Sequence, residues 1–86
     1  AMRRFTYIVT DEMGIHARPA GALAREARKY SSRVTISAKG ASKSAKDVFG
    51  LLGMGITRGM EITVSCEGPD EKQAAQELES FMERNL

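Results

Sequence analysis

Residues 4–30 read RFTYIVTDEMGIHARPAGALAREARKY, and they hold both periodicities from which the fold is built. From Arg4 to Thr10 the side chains alternate, with Phe5, Tyr7 and Val9 on one face and Thr6, Ile8 and Thr10 on the other. A repeat of two is that of a strand. Asp11 to Gly14 breaks the pattern with turn-forming residues. From His16 to Tyr30 the apolar positions become Ala20, Leu23, Ala24 and Ala27, the stripe of an amphipathic helix. Proline is tolerated in the first turn of a helix, where no intrahelical N–H bond is lost. Pro19 therefore fixes the helix start and puts His16, the only histidine, at or beside the N-cap.

The same periodicities continue outward. Arg33 to Ala38 alternates with Val34 and Ile36 inward, and Lys39-Gly40 predicts a hairpin turn into a polar edge strand over Ala41 to Ala45. Asp47 to Gly53 predicts a helix too short to be stable alone. Arg58-Gly59 marks a turn, after which Met60, Ile62, Val64 and Cys66 alternate inward. Asp70 followed by Gln73 predicts a variant capping box. Beyond it, Ala74, Ala75, Leu78, Phe81 and Met82 form the strongest helical stripe in the chain. The order β-α-β-β-α-β-α predicts an α+β fold, an open-faced β-sandwich in which a four-stranded antiparallel sheet carries three helices on one face.

With 86 residues, the expectation is one domain spanning 2–86, with Ala1 ahead of Met2 set aside as a cloning remnant. Hydrophobic residues at 42% and charged residues at 28% belong to a chain that collapses on a core rather than staying disordered. No apolar run suits membrane insertion, and no signal core follows Arg3 and Arg4. Cys66 stands alone, so no internal disulfide or cysteine-rich metal site is expected, which fits a reducing cytoplasm. A net charge of +2 does not by itself imply nucleic acid.

The chemistry centres on Gly14-Ile15-His16-Ala17-Arg18-Pro19-Ala20. The first N–H groups of a helix have no carbonyl partner and carry partial positive charge, which makes a helix start a phosphate site. Arg18 adds a guanidinium donor for the same oxygens. The helix dipole and Arg18 both disfavour an imidazolium, so His16 is expected neutral and nucleophilic. On the residues alone two readings stand: a solvated or capping histidine, the commoner case, and a phosphate-bearing one. Gly14 has a purely conformational reading as a turn residue at positive φ. No second titratable group is expected to pair with His16, and no metal or cofactor is expected.

At 100° per residue, Arg18, Gly21, Ala22, Arg25 and Arg28 share the sector opposite the core stripe. That face is either merely solvated or a docking strip, on which small residues admit close approach and the arginines steer acidic partners. Val48, Phe49, Leu51, Leu52 and Met54 crowd a helix of one to two turns, too short to bury them all. An apolar patch left exposed there marks a partner surface.

The heptapeptide from Gly14 to Ala20 resembles the active-centre signature of the HPr family, the histidine-containing phosphocarriers of the bacterial phosphoenolpyruvate:sugar phosphotransferase system. Chain length, element order and the segment Gly50 to Gly59 resemble that family too, so the likeness spans Met2 to Leu86. The resemblance implies a cytoplasmic, monomeric carrier that is not itself an enzyme. It implies that enzyme I phosphorylates His16 at Nδ1, that Arg18 and the amides of Ala17 and Arg18 stabilise the phosphate, and that enzyme IIA domains receive it. It also implies docking through Gly21, Ala22, Arg25 and Arg28 and through Val48, Phe49 and Leu52, with Met54 a weaker candidate.

Many Gram-positive relatives carry, at the position of Asp47, a serine whose phosphorylation weakens carrier function and promotes binding of a transcription regulator. Aspartate caps a helix well and cannot be a serine kinase substrate. The expectation is that this input is lost or that the protein sits in a mildly repressed state. Three alternatives are a nitrogen-branch paralogue with another recipient, a regulatory module that never carries phosphate, and a KH-like RNA-binding domain. Against the second, His16 is present. Against the third, the GXXG of Gly50 to Gly53 has apolar centres, and aromatic residues are only 6%.

Overall fold

The structure, a computed structural model, describes residues 1–86. Its elements are β1 (Arg3–Ile8), α1 (Ala17–Ala27), β2 (Arg33–Ala38), β3 (Ala41–Ser44), α2 (Val48–Gly53), β4 (Glu61–Glu67) and α3 (Glu71–Asn85). The sheet is antiparallel throughout, in the order β1-β4-β2-β3. The predicted four-stranded open sheet with three helices is the fold observed.

Alternation sets which face is covered. Val34, Ile36, Ile62, Val64 and Cys66 are buried, while Thr35, Ser37, Thr63 and Ser65 between them stay partly open. The buried set packs with Leu23 and Ala27 of α1, Leu51 of α2, and Leu78 and Met82 of α3 in one core. Phe5 pairs with Val64, which in turn pairs with Ile36, so one apolar row crosses three strands. β1 lies at the sheet edge, and Phe5 and Tyr7 are therefore only half-buried. Burial pushes the Cys66 thiol up, with the charges of Glu71 and Asp70 adding to the shift.

β3 stops one residue early, at Ser44, because Ala45 turns into the core, and β4 runs one residue later than expected, Glu61–Glu67. Three larger local expectations are corrected. The first strand ends at Ile8 rather than Thr10, although Val9 still donates to the Met60 carbonyl at 3.0 Å. The first helix ends at Ala27 rather than Tyr30. Its last turn tightens, with Lys29 N donating to Glu26 O and Tyr30 N to Ala27 O, and Tyr30 beyond it is buried in the core. The third correction concerns the capping box. Asp70 makes no side-chain cap bond to α3. Its carboxylate instead accepts from Ser31 N at 3.0 Å, Ser32 N at 2.9 Å and the Ser32 hydroxyl. Ser32 is the one fully buried polar residue, and Asp70 is the partner of both its amide and its hydroxyl. The Ser32 hydroxyl, followed by the Ser31 amide, holds the Asp70 carboxyl below its usual range. Glu71 closes the turn in its place, accepting from Gly68 N at 3.1 Å.

Candidate functional site

The loop before α1 is held from three sides. Leu86 O accepts from Thr10 N and Asp11 N, so the end of α3 anchors the end of β1. Asp11 folds the next residues over itself: its carboxylate accepts from Met13 N at 2.8 Å and its carbonyl from Gly14 N at 2.9 Å. Gly14 then sits at φ +64° against the segment after α2, where Ile15 N donates to Ile56 O at 3.0 Å. A Cβ on Gly14 would meet the Ile56 carbonyl and lie 2.7 Å from Thr57 Cα. Both the positive φ and the close approach thus require glycine there.

This loop delivers His16 as the N-cap of α1, with extended backbone at φ −121° and ψ −171°. Its side chain gives the helix no cap bond and is 26% exposed. The first intrahelical bond runs from Ala20 N to His16 O. Ala17 and Arg18 therefore have no intrahelical acceptor for their N–H groups, and Pro19 has no N–H to satisfy. No acidic side chain occupies the first turn to neutralise this end of the dipole. The Arg18 side chain is exposed at the same turn. The arrangement leaves a ring nitrogen, two free amides and a guanidinium on one helix end, open to solvent. The only concavity of note, about 190 Å³ between β1 and α3 and lined partly by Arg3, Phe5 and Lys72, includes none of these residues.

One expectation about the site is wrong. A second titratable group does face His16: Asp11 Oδ1 lies 4.0 Å from Nε2. The four-residue turn from Asp11 to Gly14 brings the two together, and the sequence signal for it was the turn-forming aspartate itself.

The rest of the predicted surface separates into parts. Gly21 and Ala22 are half-buried, while Arg25 projects from α1. Arg28 is exposed but not free, since Nη2 donates to Lys46 O at 2.7 Å and ties the end of α1 to the loop before α2. In α2, Leu51 is fully buried and supplies the core contact. Val48, Leu52 and Met54 are partly buried against it, and Phe49 stands 86% exposed. The Asp47 carboxylate accepts from Gly50 N at 3.1 Å, so it does cap α2. Met13, also exposed, is an apolar residue in the histidine loop that sequence reasoning did not single out.

An open-faced sandwich that presents a partly exposed histidine at an uncapped helix start has the layout of a phosphoryl carrier. The family described as the PTS HPr component phosphorylation site matches residues 3–84. The chain is 42% identical over 81 residues to the phosphocarrier protein HPr of Mycoplasma capricolum subsp. capricolum, covering 94% of this chain and 91% of that protein. The structure of a mycoplasma histidine-containing phosphocarrier protein superimposes with a TM-score of 0.91 at 41% identity, covering 93% and 91% of the two chains. Crh of Bacillus subtilis, solved as a domain-swapped dimer, gives 0.78 at 29% identity, covering 93% and 92%. The chain belongs to the HPr family, the phosphocarriers of the phosphotransferase system.

Proposed function

We propose that the protein accepts a phosphoryl group on Nδ1 of His16 from enzyme I, charged by phosphoenolpyruvate, and delivers it to enzyme IIA domains of sugar transporters. The Nδ1 lone pair forms the N–P bond while the donor's bond to phosphorus breaks and its electron pair returns to the donor. The observation that carries this reading is the open start of α1, where Ala17 and Arg18 keep their N–H groups for an incoming anion. A phosphoryl group brings about two negative charges near neutral pH. Two amides, the helix dipole and the Arg18 guanidinium suffice to hold it. A shallow, solvent-open site also lets it leave, as a carrier requires. The protein thus forms a covalent phosphohistidine but contributes no catalytic turnover of its own.

Docking follows from the same face. Arg25 and the small residues Gly21 and Ala22 on α1, with Val48, Phe49 and Leu52 on α2, form a surface on which Phe49 is the apolar anchor. Arg28 adds charge from a fixed position. Asp47 removes the hydroxyl that a serine kinase would use and keeps the cap, so the carrier works without that input or under mild, constant repression. The protein acts as a cytoplasmic monomer in this reading. The presence of His16 favours a carrier over a purely regulatory relative, and transfer assays with different IIA partners distinguish the sugar branch from the nitrogen branch.

The test is incubation with phosphoenolpyruvate and purified enzyme I. Wild type acquires one acid-labile phosphate, and His16→Ala acquires none. Equal labelling of the two proteins would refute the assignment.

A further inference from the structure

Asp11 is the one acidic group held against the ring of His16, and nothing in the carrier reading above uses it. Its position is built rather than incidental. Leu86 O anchors Thr10 N at 2.6 Å, Asp11 N at 2.8 Å and the Thr10 hydroxyl at 3.0 Å. The Asp11 carbonyl is engaged by Gly14 N, and Oδ1 is fixed by Met13 N. Main chain and carboxylate are thus both immobilised, with Oδ1 4.0 Å from His16 Nε2 and each side chain only 26% exposed.

We propose that Asp11 is a positioning residue for phosphoryl transfer: its carboxylate faces Nε2, keeps the ring proton on that nitrogen, and leaves Nδ1 as the bare nucleophile. This rests on the reading of His16 as the phosphoryl acceptor through Nδ1. In a neutral imidazole one nitrogen carries hydrogen and the other a lone pair, and the partner of one nitrogen decides which. An acceptor beside Nε2 selects the Nε2–H form. At 4.0 Å the contact in the free protein is electrostatic, and long contacts of this kind commonly tighten to hydrogen bonds only in the reactive complex. The same charge acts on the return step. With phosphate on Nδ1, the fixed carboxylate across the ring repels the added negative charge and favours its departure.

The experiment compares wild type, Asp11→Asn and Asp11→Ala. The ring nitrogens of His16 are read by ¹⁵N NMR at a pH where the ring is neutral, and the initial rate of phosphorylation by enzyme I is measured alongside. Asn retains an oxygen for Met13 N and for Nε2–H, whereas Ala retains neither. Wild type is expected mainly as the Nε2–H form. Asp11→Ala shifts toward the ratio of free imidazole and loses about tenfold in rate, the cost typical of removing a partner that orients a histidine. Asp11→Asn recovers most of both. An unchanged tautomer ratio in Asp11→Ala overturns the proposal whatever the rate does, because a loss of rate alone would then come from the turn. The carrier reading fails separately, by absence of label on wild type, and the tautomer measurement still decides the role of Asp11.

Discussion

The starts of α1 and α2 are built on opposite terms. Asp47 turns its carboxylate back onto Gly50 N and closes its own helix. His16 occupies the equivalent position of α1, offers no such bond, and leaves the amides of Ala17 and Arg18 open. The closed start supports a six-residue helix that would not persist alone. The open start belongs to an eleven-residue helix whose buried stripe of Ala20, Leu23, Ala24 and Ala27 holds it without a cap. The difference teaches where this fold can leave helix N–H groups unmet: at the end that packing already secures.

The comparison breaks most completely if the open start is closed. His16→Asp is expected to abolish labelling by enzyme I while raising stability by about 1 kcal/mol, the usual value of a good N-cap. Denaturant titration and a labelling assay on one sample check both halves. Gly14→Ala attacks the support of the open start. Its backbone lies at positive φ, and its new methyl meets the backbone of Ile56 and Thr57, so a loss of about 3 kcal/mol is expected in urea unfolding. Asp47→Ala opens the closed start and is expected to cost about 1 kcal/mol. Asp47→Ser retains the cap, keeps near wild-type stability, and gains a hydroxyl that the family's serine kinase labels where wild type stays unlabelled.

The smallest effect comes from the third helix start and depends on pH. The Asp70 carboxyl lies below its usual range, chiefly through the Ser32 hydroxyl and the Ser31 amide, so its ionised form is favoured by folding. That contribution is complete above the ordinary carboxylate pKa and is lost as pH falls through the depressed folded value. Asp70→Asn is therefore expected to melt below wild type at neutral pH. The gap should narrow as pH drops below about 4, when the wild-type carboxyl also protonates. Thermal melts across that range give the slope, and a gap that widens in acid would reverse the sign.

Much of this was legible in the sequence because local pattern and tertiary demand agree. The alternation of Val34 and Ile36, and of Ile62, Val64 and Cys66, placed the covered face of β2 and β4, and the stripe from Ala74 to Met82 placed α3. Pro19 placed the start of α1 and with it His16 as the N-cap. Where the reading failed, a distant partner outbid a near one. Asp70 stands at the N-cap of α3, yet Ser31 and Ser32, nearly forty positions earlier in the sequence, hold it because Ser32 is buried. Arg28 was read as a steering charge on the exposed strip of α1, and it is tied to Lys46 O across the gap between α1 and α2. Asp11 was read as turn punctuation, and the turn it makes is what sets it against His16. Propensity and periodicity report neighbours along the chain, and these three contacts are made through space.

The central claim is that the amides left open at the start of α1 receive the phosphoryl group. Amide NMR of the ¹⁵N-labelled protein, before and after phosphorylation by enzyme I and again after transfer to an acceptor, tests it most directly. The account predicts that the Ala17 and Arg18 signals move most, to the positions of strongly hydrogen-bonded amides, and return when the group has left. Phosphorylation at His16 with those two signals unmoved would contradict it.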